Sequence, residues 1–256
     1  MPWGLEAVEQ LVLPAECLLC QALFSFPDAD RLVCDVCRHR WRPVRAPWCE
    51  RCGQPEPSFG GCRLCADWPA ALRCVRSAVW LDAGARAAVH ALKYGALPRI
   101  ARDLAAAMTG LDLAGRDSAW LVPVPLGPKR LRQRGYNQSE RLARALSRHW
   151  RRPVVHLLVR ARETAMQTAL TPEARLANVA GAFQLRIADF GLRIESEGDQ
   201  SAIRNRKSAI TRTLVLVDDV FTTGATLAEA GRALEQAGAT TVSAVTFGRA
   251  VIPDFT

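Results

Sequence analysis

Two adjacent carboxylates, Asp218 and Asp219, stand just before Thr222, Thr223, Gly224, Ala225 and Thr226 in this chain of 256 residues. The threonine-rich turn offers backbone N–H groups and hydroxyls ahead of a helix. That combination suits a phosphate, through unpaired donors and the helix dipole. Two carboxylates touching the same phosphate would repel it. They suit something neutral or cationic beside it, and vicinal ribose hydroxyls or a Mg²⁺ ion meet that need. A bare Asp-Asp pair more often ends a strand and caps a helix. The complete order of strand, acidic doublet, threonine turn and helix is what selects the phosphate reading.

A second chemistry lies in the cysteines. Eight of the nine form CxxC pairs, Cys17/Cys20, Cys34/Cys37, Cys49/Cys52 and Cys62/Cys65, and Cys74 is left over. Two intervening residues let both sulfurs of a knuckle reach one ion, and two knuckles complete a tetrahedral Cys₄ zinc site. The four knuckles therefore predict two structural zinc ions. Sequential pairing needs only local chain reversals; an interleaved cross-brace is the alternative. A disulfide framework belongs to oxidising compartments and is disfavoured. Gly53 suits the tight turn of a knuckle. Cys74 reads as a core cysteine and His39 as a surface residue. This module, taken as residues 1–74, is short and rich in Pro and Trp. Metal must supply much of its stability, on the order of 10–16 kcal/mol for a structural zinc.

The third group is basic. Residues 119–183 carry 12 basic and 3 acidic side chains, so this quarter of the chain holds the whole net charge of +9. Arginine supplies 31 of the 34 basic residues, which codon usage explains, but codon usage does not explain the missing acids. A polyanion-facing surface does. Within it, Leu126 to Gln138 (LGPKRLRQRGYNQ) reads as a basic loop bearing Lys129, Arg130, Arg132 and Arg134. With Lys93, these are the candidates for a pyrophosphate or another polyanion. Neither this segment nor the knuckles read base edges, so nucleic acid would be held by its backbone, preferably as a single strand.

Several elements must position these groups. Leu214 to Val217 is apolar without alternation, which predicts a parallel strand covered on both faces. The helix after the turn carries Leu227, Ala230, Leu234 and Ala237 on one stripe, with Gly238 as C-cap. In an open parallel sheet, ligands bind beyond the carboxyl ends of the strands, where this turn must lie. Upstream, Val75 to Leu81 reads as a strand, Ala85 to Leu92 as a helix leading into Lys93, and Ile100 to Met108 as another helix. Trp120 to Pro125 is a short strand limited by its prolines. Asn137 with Glu140 forms a capping box opening the helix Ser139 to His149. Val154 to Val159 is a further strand, Thr171-Pro172 starts a helix carrying Arg175 and Asn178, and Thr241 to Phe247 is the last strand. Residues 184–212 are polar and read as a hairpin or insertion. The predicted fold class is α/β, a parallel sheet with flanking helices over residues 75–256, preceded by the double zinc-ribbon module. No apolar run approaches the roughly 18 residues that span a bilayer. The first residues hold Glu6 and Glu9 without Lys or Arg and make a poor secretory signal, so a cytoplasmic location is expected.

The string LVLVDDVFTTGAT resembles the 5-phosphoribosyl-1-pyrophosphate (PRPP) motif of type I phosphoribosyltransferases. The resemblance implies that Asp218 and Asp219 hold the ribose 2′- and 3′-hydroxyls, that Thr222 to Thr226 hold the 5′-phosphate, and that Mg²⁺ accompanies PRPP. Four CxxC knuckles, LKYG at Leu92–Gly95, VPVPL…KRLRQRGYNQ, Q..L….R..N…AF and LVLVDDVFTTGAT stand in the order seen in the ComF family. These are phosphoribosyltransferase-like proteins tied to DNA uptake in naturally competent bacteria. That resemblance implies a PRPP-binding protein of DNA uptake that contacts single-stranded DNA, with a zinc module able to dock another uptake protein. The alternative is an active phosphoribosyltransferase, unrelated to DNA, that transfers the pentosyl group of PRPP to an acceptor the sequence does not name and releases pyrophosphate. His90, His149 and His156 show no partner in the sequence, so no catalytic residue is assigned. Residues 186–212 are longer than the family pattern, and Gly127-Pro128 stands where many relatives carry His or another polar residue.

Overall fold

The computed structural model describes residues 15–25, 28, 30–55, 62–162, 180–186, 210 and 212–251. Its α-helices and strands, in chain order, are α1 (Asp35–Arg40), β1 (Leu72–Trp80), α2 (Ala83–Tyr94), α3 (Ala101–Met108), β2 (Trp120–Pro123) and α4 (Pro128–Arg134). There follow α5 (Gln138–Trp150), β3 (Leu158–Arg160), β4 (Phe183–Leu185), β5 (Leu214–Phe221), α6 (Ala225–Gln236) and β6 (Val242–Arg249).

Four of the strands form one parallel sheet in the order β1-β6-β5-β2. Alternate residues of its strands face opposite layers. Val215, Val217, Val245 and Phe247 pack with α2, α3 and α5, while Leu214, Leu216, Val242 and Ala244 pack with α6. This is why the run Leu214–Val217 carries no polar alternation: both faces are covered. Each of these side chains is worth about 1.5–3 kcal/mol when fully buried, enough to hold β5 in place although its far end carries two acids.

The cysteine-rich segment straddles one edge of the sheet. Residues between its two halves run antiparallel to β1 through the Pro43–Val79 bridge. The Val44 amide donates to the Ala78 carbonyl at 3.1 Å and the Trp80 amide to Arg42 at 2.8 Å. Proline suits this outermost position, and the cover removes an exposed strand edge. Cys17, Cys37 and Trp41 enter the core beneath α2, α3 and α5, whereas Cys52, Cys65 and Trp68 enter the core beneath α6.

The structure departs from the sequence reading at several points. β1 begins at Leu72, three residues before the strand expected from Val75. The basic segment is a helix rather than a loop. Pro128 occupies its first turn and Gly135 ends it at φ +76°, so the start and stop signals were present and the charge obscured them. Asn137 does cap α5, accepting the Ser139 amide at 3.1 Å, but Glu140 turns to Arg144 at 2.8 Å instead of closing a capping box. The strand expected over 154–159 shrinks to a single parallel bridge, Leu121–Val154, and then β3, paired antiparallel with β4. The helix expected from Thr171 and most of 184–212 lie outside the described residues.

Candidate functional site

Two groups of four cysteines gather as the sequential pairing requires: Cys17, Cys20, Cys34 and Cys37, and Cys49, Cys52, Cys62 and Cys65. The alternative of an interleaved cross-brace is thereby set aside. Sulfur–sulfur separations are 3.7 Å for Cys20–Cys34, 3.7 Å for Cys49–Cys65 and 3.5 Å for Cys52–Cys62. A tetrahedral zinc with Zn–S near 2.3 Å has S···S edges of about 3.8 Å, so the clusters fit that ion. Backbone amides point at the sulfurs, Cys34 N to Cys17 Sγ at 3.3 Å and Cys37 N to Cys34 Sγ at 3.4 Å. Burial pushes the Cys37 and Cys52 thiols up and that of Cys65 up to about 12. Four thiolates coexist in such surroundings only around a cation. Gly53 adopts φ +69°, and a Cβ there would meet the Val75 carbonyl oxygen at 2.9 Å. Cys74 is half-buried in β1, its thiol 3.4 Å from the Ser243 hydroxyl, and His39 is exposed.

The acidic doublet lies within β5, not beyond it. β6 continues alongside, pairing Asp218 with Thr246 and Phe221 with Arg249, so the ladder extends four residues past Val217. Asp218 and Asp219 are both buried. The Ser139 hydroxyl donates to Asp218 Oδ1 at 2.7 Å, and the Asp219 amide donates to the same oxygen at 2.9 Å. Lys93 Nζ, at the end of α2, stands 2.7 Å from Asp219 Oδ2. Burial first, and then the Asp219 charge, push Asp218 up to about 7. Burial is the strongest single influence on the Lys93 ammonium and works against it, but the Asp219 charge, the hydrogen bond to Asp219 and the Asp218 charge together outweigh it and hold the amine above its ordinary value. Lys93 is thus a cation facing two carboxylates and paired directly with Asp219.

After Phe221 the chain turns through Gly224 (φ +77°) into α6. Thr223, Gly224 and Ala225 are buried, while Thr222 and Thr226 are half-buried. The Thr223 hydroxyl is buried and finds no hydrogen-bond partner among the described residues. Such a group costs about 1–3 kcal/mol and calls for an explanation. The opening turn of α6 likewise has N–H groups with no intrahelical acceptor. An anion with several oxygens satisfies both.

β2 and β5 are parallel and in register, Pro123 opposite Val217, so the segments that follow them emerge at the same edge. The Val124 amide donates to the Val217 carbonyl at 3.0 Å, and Asn137 Nδ2 donates to the Val124 carbonyl at 2.9 Å. This brings α4 and the start of α5 up to the doublet. Arg134 donates to Gln138 Oε1 and lies 5.2 Å over the Tyr94 ring. Lys129, Arg130 and Arg132 share α4 with Arg134, and Lys129 and Arg132 are exposed. The structure thus joins Lys93, Arg134, Asp218, Asp219 and the threonine turn. It adds Ser139, Gln138 and Tyr94, which sequence reasoning missed. In the sequence Ser139 opens a helix and Gln138 closes the basic segment, and only their burial in the folded chain marks them as parts of the site.

Residues 8–67 match the family described as Double zinc ribbon domain, and residues 138–250 match Phosphoribosyl transferase domain. Fold and site together define a phosphoribosyltransferase-type protein carrying two zinc ribbons. The chain is 31% identical over 246 residues to DNA utilization protein YhgH of Salmonella typhimurium, covering 91% of this chain and 96% of that protein. It is 27% identical over 251 residues to Competence protein ComFC of Bacillus subtilis, covering 91% and 94%. Competence protein F of Haemophilus influenzae matches at 33% over 119 residues, 46% of this chain and 44% of that protein. The chain belongs to the ComF family.

Proposed function

We propose that this protein binds PRPP together with Mg²⁺ at the end of β5 and serves DNA uptake or utilization, contacting single-stranded DNA through its basic surface. The observation that carries the PRPP reading is the buried Thr223 hydroxyl, unpartnered among the described residues, beside left-handed Gly224 and four residues after two buried carboxylates. Thr222 to Thr226 take the 5′-phosphate, and Asp218 and Asp219 take the ribose hydroxyls and are the residues that would hold the metal. Lys93 and Arg134 face the pyrophosphate. The DNA part of the reading draws on what the relatives are named for, DNA utilization and competence. It draws also on exposed Lys129 and Arg132 on α4. A cytoplasmic location and docking of another uptake protein on the zinc ribbons belong to the same proposal. None of the described helices is long and apolar enough to cross a membrane.

A second reading, pentosyl transfer from PRPP to an acceptor with release of pyrophosphate, is supported by two cations, Lys93 beside Asp219 and Arg134 over Tyr94, that could neutralise the departing pyrophosphate. Pyrophosphate production in a screen of bases, amines and nucleic-acid ends is its test. For the binding reading, calorimetry with PRPP and Mg²⁺ should show saturable binding, and Thr223→Val should weaken it about tenfold, the size of one lost buried hydrogen bond. Equal affinity in the two proteins would remove the phosphate from this turn.

A further inference from the structure

The two cysteine clusters do not stand in the same relation to the phosphate turn. Gly224 holds φ +77°, and a Cβ on it would lie 2.4 Å from Trp68 Cζ2 and 2.9 Å from Phe221 Cε2. The turn therefore rests directly on these two rings, whose centroids are 6.1 Å apart. Trp68 follows the last cysteine of the second cluster by three residues and is buried.

Two separate routes tie this floor to the second cluster. Along the first, Arg51, which lies inside the Cys49–Cys52 knuckle, grips the backbone around Trp68. Its Nη2 donates to the Trp68 carbonyl at 3.0 Å and the Pro69 carbonyl at 2.9 Å, and its Nη1 donates to the Cys65 carbonyl at 3.0 Å. Along the second, Arg249 at the end of β6 is 1% exposed. It donates to the Cys52 carbonyl at 2.8 Å and to Gln54 Oε1 at 2.7 Å, and its guanidinium lies 4.2 Å over the Phe221 ring. The next amide, Ala250, donates to the Phe221 carbonyl at 2.8 Å.

Arg249 is a buried cation whose described hydrogen bonds go to a carbonyl and an amide oxygen, and burial pulls its pKa below the ordinary value. Four thiolates around one zinc make a net dianion beside it. That dianion is the counter-charge a buried guanidinium needs. Among the described residues, the first cluster has no comparable link. Its Trp41 meets Phe247 at 4.9 Å on the opposite face of the sheet, and Leu32 donates to Asp103 of α3 at 3.3 Å.

We propose that Trp68 and Arg249 are positioning residues through which the second zinc cluster sets the geometry of the phosphate turn. Loading of that cluster and binding of a 5′-phosphate at Thr222 to Thr226 are then coupled, and the first cluster stands outside the coupling. The ligand half of this statement rests on the phosphoribosyl reading; the mechanical half does not. Close-packed interiors pass such displacements on because they do not deform smoothly. Coupling between two sites is reciprocal, so each can be read from the other.

The test uses full-length, zinc-loaded protein. Hydrogen exchange is measured over Phe221 to Ala228 in the wild type and in Arg249→Met, Cys62→Ser (second cluster) and Cys20→Ser (first cluster). Faster exchange there is expected in Arg249→Met and Cys62→Ser, and wild-type protection in Cys20→Ser. Unchanged protection in Arg249→Met, or an equal loss in Cys20→Ser, overturns the proposal. Should Cys62→Ser fail to fold, Arg249→Met and Trp68→Phe, which keep every ligand, still decide it. Zinc release to a chromophoric chelator supplies a readout that a merely structural role would not move. PRPP with Mg²⁺ should slow the release of one zinc in the wild type and lose that effect in Arg249→Met, with affinity about tenfold weaker, within the ordinary range of coupling between sites. If the wild type takes up no PRPP, the phosphoribosyl reading fails, and the exchange data still judge the mechanical link.

Discussion

Each cysteine cluster draws its four ligands from one short stretch of chain. The acidic doublet instead gathers Lys93, Arg134 and Ser139 from three helices, with Ser139 79 residues from Asp218 in sequence. The clusters are self-contained ligand sets whose stability comes from a metal; the doublet is an assembly whose geometry exists only when the sheet is complete. The difference shows in cost as well. Thiolates around zinc repay their burial, whereas Asp218 is held near neutrality by burial and by a like charge, a strain the rest of the fold must carry.

The sharpest way to break this contrast is to remove the metal. Stripping both ions should unfold the two cysteine clusters, since a structural zinc is worth on the order of 10–16 kcal/mol, and should uncover the β1 edge beside Pro43. Loss of near-ultraviolet dichroism from Trp41, Trp48 and Trp68 on chelation, restored by added zinc, is the expected observation. Next comes the doublet. Asp219→Asn removes the partner of Lys93, and titration calorimetry should show PRPP affinity falling by about tenfold or more while the sheet persists.

Asp218 gives a smaller effect with a definite sign. Its folded value, about 7, lies above the ordinary 3.8, so the native state holds its proton more tightly than the unfolded chain. Stability from this group is complete below about pH 4 and is lost as pH rises through 7. Asp218→Asn cannot suffer that loss. Its melting temperature should match the wild type near pH 4 and exceed it by about 2–4 °C at pH 8, for on the order of 1 kcal/mol. A constant difference across that range would contradict the assignment. The smallest effect concerns nucleic acid: neutralising Arg132 and Arg134 together should flatten the salt dependence of single-stranded DNA binding by about one to two units in a log–log plot.

The same contrast explains what was legible in the sequence. The CxxC spacing shows its own chemistry because the ligands are neighbours, and Leu214–Val217 shows its burial because no polar residue interrupts it. The order of strand, doublet and turn was legible for the same local reason. Ser139, Trp68 and Arg249 were not, because their roles depend on residues brought near only by folding: a carboxylate from β5, a glycine turn and a zinc knuckle. The helix α4 was hidden differently. Its proline start and glycine stop are plain, but four cations among its seven residues leave no apolar stripe, and the segment reads as a basic loop. The end of β5 was misplaced because the partner strand β6, which carries the ladder past Val217, cannot be seen from β5 alone.

A crystal soaked with PRPP and Mg²⁺ puts the central claim to the most direct test. The 5′-phosphate should lie on the Thr222 to Thr226 turn within hydrogen-bonding distance of the Thr223 hydroxyl, with the ribose hydroxyls on Asp218 and Asp219. Density for the sugar phosphate elsewhere on the molecule, with that hydroxyl still unpaired, would contradict it.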